Sequence, residues 1–166
     1  MKKFQFDARK GFTLIELVLF MGLFTIILGV LVNLFSVIVD TQMEVQSTSA
    51  VESDSKFITT RLMHDIQRAQ SISVPASLGA QTATLNMDIG GTTVQYALQN
   101  GDLQLTEGIT TDNLNSMATT VSAISFLRLG NIGGKNAIRI TFTISSRNPS
   151  AAGAETKVIS TMIGLR

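Results

Sequence analysis

Residues 12–39 read FTLIELVLFMGLFTIILGVLVNLFSVIV, an apolar run of 28 residues with one charged side chain, Glu16. A helix of this length is about 42 Å long, which exceeds the roughly 30 Å hydrocarbon core of a bilayer. Residues 1–11, which precede it, carry four basic side chains and one acidic side chain. Because positive residues beside an apolar segment tend to stay in the cytoplasm, we expect one pass through the cytoplasmic membrane. The N-terminus is then cytoplasmic and the rest of the chain is exported.

The composition of the chain excludes several classes of site. Hydrophobic residues make up 45% of the 166 residues and charged residues 15%, and the apolar excess is concentrated in residues 12–39. The chain has no cysteine and one histidine, His64. Disulfides, thiolate metal sites and cysteine nucleophiles are therefore excluded, and a zinc site is not expected. We predict no cofactor and no metal.

Two ordinary interpretations of the apolar run explain it only in part. A cleaved secretory signal has an apolar stretch of about 7–15 residues and a small-x-small cleavage site. The run is longer, and Val37-Ile38-Val39-Asp40 is not such a site. A signal-anchor helix fits the length but gives no reason for Glu16. An ionised carboxylate near hydrocarbon is costly unless it is paired or close to the headgroups.

The start of the run accounts for the glutamate, since it reads Arg9-Lys10-Gly11-Phe12-Thr13-Leu14-Ile15-Glu16. This stretch resembles the processing site of type IV prepilins and pseudopilins, in which a short basic leader ends in glycine before Phe-Thr-Leu-x-Glu and an apolar helix. The resemblance implies that a membrane aspartyl protease, the prepilin peptidase, recognises the leader at Arg9 and Lys10. It also implies cleavage between Gly11 and Phe12 on the cytoplasmic side, followed by methylation of Phe12. Glu16 becomes the fifth mature residue and acts in assembly.

The chemistry of Glu16 fits an assembly role. Cleavage leaves an α-ammonium group on Phe12, and we expect the Glu16 carboxylate of a neighbouring subunit to pair with it. Opposite charges compensate each other in a region of low dielectric, so this pair would set the axial register of an incoming subunit. The alternative is that Glu16 only reaches the cytoplasmic headgroups. Gly22 and Gly29 in the same run favour close packing of helices within the membrane.

Beyond Val39, an amphipathic helix is predicted to continue to about Gln70. Apolar residues recur there at three-, four- and seven-residue steps, which is typical of a helix with one buried stripe. They are Met43, Ala50, Val51, Phe57, Ile58, Leu62, Ile66 and Ala69. Pro75 and Gly79 end the helical pattern.

The rest of the chain alternates apolar and polar residues, as β-strands do. The predicted strands are residues 83–89, 94–98, 103–105, 121–129, 137–144 and 157–165. Gly90-Gly91 and Asn100-Gly101 join the first three in a meander, and Thr110 to Thr119 is predicted to be a loop. The predicted fold class is α+β. It is a type IV pilin-like lollipop, as the resemblance also implies, in which the long helix packs on an antiparallel β-sheet.

A second resemblance concerns the subtype. Residues 61–69, 94–98 and 101–103 resemble the larger minor subunits, namely the J-type minor pseudopilin of type II secretion and the W-type minor pilins. This implies a place in the initiating tip complex rather than in the shaft. The chain lacks the cysteine pair of many major pilins and an Asp-rich calcium loop like that of major pseudopilins.

No enzymatic site is predicted. Residues 130–136, GNIGGKN, are one residue short of the phosphate-binding pattern G-x-x-x-x-G-K and end in Asn136 where Ser or Thr is needed, so we expect a hairpin loop. His64 and Asp65 are neighbours on a helix, where adjacent side chains point to different faces. We therefore expect a solvated histidine rather than a catalytic pair.

The charges of the exported part are unevenly distributed. Residues 40–120 carry a net charge of −6 and residues 121–166 a net charge of +5. Either the two parts complement each other within one fold, or the basic part of one subunit meets the acidic part of an adjacent one. We do not expect DNA to bind, because the six basic residues are scattered and lack interleaved aromatic side chains.

Together these patterns divide the chain into a basic leader, 1–11, a transmembrane and assembly helix, 12–39, and an exported α+β domain, 40–166. The predicted function is that of a minor pilin or pseudopilin, a structural subunit of a type IV pilus or type II secretion pseudopilus. Its expected partners are the prepilin peptidase, other major and minor pilins or pseudopilins, the assembly platform in the cytoplasmic membrane, and membrane lipid. The alternative is a signal-anchored surface binding module or adhesin that is not cleaved at Gly11.

Overall fold

The computed structural model describes residues 12–131, 134–148 and 153–166, in two units, Met1–Asp40 and Thr41–Arg166. Helix α1 spans Leu14–Arg68 and contributes to both units. Among the described residues, it is the one helix long and apolar enough to cross a membrane. The side chains of residues 12–38 are all exposed. A helix that is apolar on every side and unburied by its own chain fits a single membrane anchor.

The part of the second unit that the structure describes contains nine strands. They are β1 (Ser71–Val74), β2 (Gln81–Thr82), β3 (Leu85–Ile89), β4 (Thr92–Gln99), β5 (Asp102–Glu107), β6 (Thr110–Asn113), β7 (Thr119–Leu129), β8 (Ala137–Ser146) and β9 (Thr156–Gly164). Sheet 1 has the order β1-β3-β4-β5-β6 and sheet 2 the order β2-β7-β8-β9. Every pairing is antiparallel.

The predicted α+β class, a long N-terminal helix followed by antiparallel β-structure, is confirmed. The expectation of a single sheet is wrong. The alternation of apolar and polar residues shows which side chains of a strand point inward. Because each of the two sheets has one apolar face, this pattern does not reveal which strands are neighbours.

The six predicted strands correspond to β3, β4, β5, β7, β8 and β9. The prediction of a loop from Thr110 to Thr119 is wrong at its start, where β6 forms. All four residues of β6 are exposed, so this strand has no apolar alternation to recognise. It forms because the turn at Gly108-Ile109 returns the chain beside β5, with Glu107 opposite Thr110. Strands β1 and β2, with four and two residues, are too short to show alternation.

The core of the second unit lies between one stripe of α1 and the inner faces of both sheets. On α1, Val51, Ile58, Leu62 and Ile66 are at most 2% exposed. The largest fully buried side chains of the sheets are Tyr96, Phe126, Phe142, Leu85, Met87, Leu103, Ile138, Ile140 and Ile144. Both sheets contribute to one cluster, so α1 is the element that they share.

The buried stripe of α1 differs in part from the predicted one. Met43 and Phe57 are 43% and 55% exposed, whereas Ser47 and Ser55 are buried. The buried positions from Ser47 to Ile66 follow steps of three and four residues, and Phe57 lies beside this line. Met43 precedes Ser47 by four residues and so continues the line, one turn before its buried part begins. Ser55 is tolerated inside because its hydroxyl donates to the carbonyl oxygen of Glu52 at 2.9 Å.

The two sheets are joined directly at Gly101, in the turn between β4 and β5. The N–H of Val121 and the hydroxyl of Thr120, both on β7, donate to the carbonyl oxygen of Gly101 at 2.8 and 3.0 Å. Gly101 has a φ of +84°, and a Cβ there would lie 2.5 Å from Oγ1 of Thr120. The Asn100-Gly101 turn therefore reverses the chain and also brings sheet 1 against sheet 2.

We predict that Gly101→Ala destabilises the domain by about 1–3 kcal/mol more than Gly79→Ala does. Both glycines have positive φ values, +84° and +81°, but nothing lies within 4 Å of the Cβ position at Gly79. The measurement is urea unfolding of the full chain in detergent, followed by the fluorescence of Tyr96, since the chain has one tyrosine and no tryptophan. Equal destabilisation by the two substitutions would contradict the close contact with β7.

Candidate functional site

The first site is the N-terminal end of α1. The predicted leader residues Arg9, Lys10 and Gly11 lie outside the described residues. Phe12 is 84% exposed and precedes the helix, which begins at Leu14. The Glu16 carboxylate turns back toward the start of the helix, where its Oε2 accepts the N–H of Thr13 at 3.4 Å and the hydroxyl of Thr13 at 3.2 Å.

This arrangement is one half of the capping-box motif, and we call it the capping box. Thr13 is the N-cap residue, and Glu16, three positions later, accepts the N–H of that residue. The Thr13 hydroxyl donates to the same carboxylate. A negative side chain in the first turn also interacts favourably with the helix dipole. Glu16 therefore stabilises the start of its own helix, a role that the resemblance to prepilins does not imply. The pattern Thr-x-x-Glu before an apolar run is the signal that identifies it in the sequence.

Two hydroxyl side chains farther along the membrane segment are satisfied within the helix. The hydroxyls of Thr25 and Ser36 donate to the carbonyl oxygens of Met21 and Val32, at 2.8 and 3.1 Å. A helix in lipid must satisfy its polar groups internally, so these residues are compatible with a membrane span. A Cβ placed at Gly22 or Gly29 meets nothing within 4 Å, so this surface of α1 is open to a neighbouring helix.

The second site is a polar cluster around Asp65, a carboxylate near the end of α1 that is 3% exposed. Its Oδ2 accepts the hydroxyl of Tyr96 at 2.6 Å and Nε of Arg61 at 2.8 Å, and its Oδ1 lies 2.9 Å from Nδ1 of His64. The expectation that His64 is simply solvated is wrong in this respect. Its ring, although half exposed, folds onto the adjacent carboxylate.

The electrostatics of the cluster favour an ionised Asp65. Burial alone raises the pKa of the Asp65 carboxyl, but the hydrogen bonds from Tyr96, His64 and Arg61 outweigh it and the pKa is lowered. Burial, and then the hydrogen bond to Asp65, raise the pKa of the Tyr96 hydroxyl, which therefore stays protonated as a donor. The cluster thus joins α1 to β4 through a charged group whose oxygens are well satisfied.

A second carboxylate, Asp54, ties α1 to the loop between β6 and β7. Its Oδ2 accepts the N–H and the hydroxyl of Ser116 at 2.9 and 2.7 Å and the hydroxyl of Thr119 at 2.5 Å. The partners are more than 60 residues away in the sequence, so no local pattern predicts this contact. It holds the loop on the helix.

Two of the six basic residues in residues 121–166 form ion pairs with acidic residues in residues 40–120. Arg147 contacts Asp102 at 2.5 Å, and Lys157 forms an ion pair with Glu52 on α1. Hydrogen bonds from Lys157 and Lys56 lower the pKa of Glu52. These contacts support the interpretation that acidic and basic parts complement each other within one fold.

Arg128 donates to three carbonyl oxygens, those of Ile72, Pro75 and Ala76, at 3.0–3.1 Å. Three other cations of the basic part, Lys135, Arg139 and Arg166, have no ion-pair partner among residues 12–131, 134–148 and 153–166. Their charges are therefore available to another molecule.

Within the same ranges, no group of three or more histidine, aspartate or glutamate side chains is placed to hold a metal ion. The glycine-rich stretch 130–136 connects the paired strands β7 and β8, the position of a hairpin loop, and Ile132 and Gly133 lie outside the described residues.

A family model described as the prokaryotic N-terminal methylation motif matches residues 7–32, which include the predicted cleavage site, the capping box and the membrane segment as far as residue 32. No curated protein and no solved structure matches the chain.

We predict that Asp65→Asn lowers the free energy of unfolding at pH 7 by about 2–3 kcal/mol, because it weakens three hydrogen bonds to a buried charge. The pKa of Asp65 is lower in the folded state, so its contribution is complete above the unfolded pKa of about 3.9 and is lost as the pH falls through the folded value. Urea unfolding at pH 7, 4 and 3 should show a shallower loss below pH 4 for the variant. Asp88→Asn is the control, since among the described residues the Asp88 carboxylate accepts one hydrogen bond, from the N–H of Gly91 at an exposed turn. Identical pH profiles for wild type and Asp65→Asn would contradict the role of Asp65.

Proposed function

Since residues 7–32 carry the signature of type IV prepilins and pseudopilins, we propose that the chain is a minor subunit of a type IV pilus or type II secretion pseudopilus. The signature implies processing by prepilin peptidase and assembly with other pilins. The observation that carries the proposal is this match together with the geometry at the start of α1. The same residues that define the motif form a capped helix end with an exposed Phe12 in front of it.

The processing step is compatible with the local structure. A protease cleft takes its substrate as an extended peptide, and glycine on the leader side of the cut offers no side chain to obstruct it. The helix begins only at Leu14, so Phe12 and Thr13 are not part of it. The capping box fixes this start, and it therefore separates the segment to be cut from the segment that stays in the membrane.

In the proposed assembly step, the apolar helix leaves the lipid and packs against helices of other subunits. Its residues 12–38 are exposed on all sides, and the open surfaces at Gly22 and Gly29 permit close approach. From the described residues, the Glu16 carboxylate accepts two long hydrogen bonds, both from Thr13, and a carboxylate has capacity for further donors. The methylated α-ammonium group of a neighbouring Phe12 is the donor that we propose.

The assignment to the minor subunits, and to the initiating tip complex, is supported by the resemblance of residues 61–69 and 94–98. In the structure these two segments meet, because the hydroxyl of Tyr96 donates to the Asp65 carboxylate, which Arg61 and His64 also contact. We further propose that the chain is a structural subunit rather than an enzyme. The one histidine is engaged with Asp65 in a cluster that joins helix and sheet.

The experiment that tests processing is the intact mass of the full chain extracted from membranes of cells with an active prepilin peptidase. The proposal requires the loss of residues 1–11 and the gain of one methyl group on Phe12. A Gly11 substitution that blocks cleavage serves as the matched control and should retain the full mass. A wild-type chain that keeps Met1 or Lys2 would instead be a signal-anchored surface module, and the proposal would be wrong.

Glu16 offers a sharper test, because its two roles respond differently to substitution. Glu16→Ala removes both the cap and the charge, and we expect normal cleavage but impaired incorporation into filaments. Glu16→Gln keeps an acceptor for the capping box but removes the charge. If the pairing with a neighbouring α-ammonium group is needed, Glu16→Gln fails to assemble as Glu16→Ala does. The measurement is the ratio of subunit in sheared filaments to subunit in membranes, and normal assembly of Glu16→Gln would leave only the capping role.

A further inference from the structure

Strand β9 forms an open edge of sheet 2. Among the described residues it pairs only with β8, in an antiparallel register without a bulge. Just beyond the two ends of this pairing, the N–H of Leu165 donates to the carbonyl oxygen of Asn136 at 2.9 Å. The N–H of Ser146 donates to the carbonyl oxygen of Glu155 at 2.8 Å. Both bonds connect an odd-numbered residue of the β9 segment to the β8 segment.

The direction of the backbone groups shows which parts of β9 have no strand to bind. In an antiparallel pair, every second residue exchanges its hydrogen bonds with the neighbouring strand. The odd-numbered residues from Lys157 to Ile163 therefore bind β8. The even-numbered residues from Thr156 to Gly164 direct their N–H and C=O groups toward the open edge, where no described strand lies. Natural sheet edges are usually blocked by proline, a bulge or charged side chains, and residues 158–164 contain none of these.

A groove lies between β9 and α1 and has a volume of about 310 Å³. We call it the edge groove. One face of α1 and the inward-facing side of β9 line it, with Glu52, Ser55, Lys56 and Thr59 from α1 and Lys157 and Ile159 from β9.

The inner face of sheet 2 is incompletely covered at this edge. Phe142 on β8 is 1% exposed, whereas Ile159, its partner on β9, is only partly buried. On the outer face of β9, Val158 and Met162 are 65% and 59% exposed. A strand added beside β9 would lie about 4.8 Å from it. Its inward side chains would enter the edge groove and cover Ile159, and its outward side chains would lie beside Val158 and Met162.

The edge groove has a surplus of positive charge. Lys56 and Lys157 both contact the one carboxylate of Glu52, so two cations against one anion leave a net charge of +1. A carboxylate that enters the edge groove would compensate this surplus. Two copies that paired through β9 would instead bring their Lys157 side chains to the same edge, and like charges on paired strands are destabilising. The charge therefore favours an acidic partner over a second copy of this chain.

We propose that β9 binds an extended segment of a different protein as an additional strand of sheet 2, with acidic side chains of that segment in the edge groove. The row of outward N–H and C=O groups requires an extended backbone, and the surplus charge selects carboxylates. In this mode of recognition, backbone hydrogen bonds supply affinity and alternate side chains supply specificity. The inference goes beyond the proposed function and does not rest on it, because no residue of β9 or of the edge groove lies in residues 7–32.

The test measures binding of a labelled peptide to the full chain in detergent by fluorescence anisotropy. The peptide has nine residues, the length of β9, and alternates glutamate with valine, so that an extended backbone places every carboxylate on one face. We call it the acidic probe. The basic probe, with lysine in place of every glutamate, is the matched control. We expect saturable binding of the acidic probe and about tenfold weaker binding of the basic probe.

Ser160→Pro tests the backbone contact. The N–H of Ser160 points to the open edge, so proline removes a donor to the added strand and leaves the bonds between β8 and β9 in place. We expect about three- to tenfold weaker binding of the acidic probe. Ser160→Ala is the matched control and should bind normally, since it removes only a hydroxyl that contacts Thr141. An acidic probe methylated at every backbone nitrogen should not bind the wild-type chain, which tests the same contact without any change in the protein.

Lys56→Glu tests the charge of the edge groove. It should weaken binding of the acidic probe about three- to tenfold and strengthen binding of the basic probe. Lys135→Glu is the matched control, because it reverses a cation that does not line the edge groove, and it should leave the binding of both probes unchanged.

Three results with the wild-type chain would each overturn the proposal: no saturable binding of the acidic probe, equal binding of the two probes, or undiminished binding of the methylated probe. Undiminished binding of the acidic probe by Lys56→Glu would also overturn it. A second copy is the competing occupant, and Val158→Cys tests it, since the chain has no native cysteine. Cross-linking of two Val158→Cys copies in membranes, without binding of the acidic probe, would assign the edge to self-association instead.

Discussion

The stripe of α1 that runs from Val51 to Ile66 is the constraint on which the exported domain depends. The chain has no disulfide, and its two sheets share no strand. Both sheets instead bury their inner faces in one cluster with this stripe. Burial of a large aliphatic side chain contributes about 1.5–3 kcal/mol, so Ile58, Leu62 and Ile66 together represent a large share of the stability of a small domain. Without the helix, the apolar faces of both sheets would lose their shared cover.

Hydrogen bonds fix the position of α1 relative to the sheets against which it packs. Asp65 fixes α1 to β4 through Tyr96, Asp54 fixes α1 to the loop before β7, and the carbonyl oxygen of Gly101 joins sheet 1 to sheet 2. Apolar contacts are not directional and tolerate small shifts, whereas short hydrogen bonds to carboxylates do not. The helix is therefore held in one register relative to both sheets. This matters for a subunit whose helix passes from the domain into the membrane.

The features that sequence could predict are those with a local signal. The apolar run, the motif around Gly11 and Phe12, and the longer strands all have one, and the family model matches the motif. The Thr13–Glu16 capping box also has a local signal, the pattern Thr-x-x-Glu. The resemblance to prepilins implies a different role for Glu16, in assembly. The division into two sheets, the strand β6 and the contact of Asp54 with Ser116 have no local signal. They depend on which segments meet in three dimensions, and alternation does not encode that choice.

The carboxylates of Glu16 and Asp65 differ in burial and in the strength of their hydrogen bonds. This difference suits Glu16 to the proposed assembly role and Asp65 to a structural one. Asp65 is 3% exposed and is bound by three side chains at 2.6–2.9 Å, so any new partner would have to displace a strong contact. Glu16 is exposed, and within residues 12–131, 134–148 and 153–166 its one partner is Thr13, at 3.2 and 3.4 Å. Long hydrogen bonds are weak, and a cationic donor in a region of low dielectric forms a stronger one. The capping box therefore holds the carboxylate in place at the helix end by weak bonds, which is compatible with an exchange of partner in the proposed assembly step.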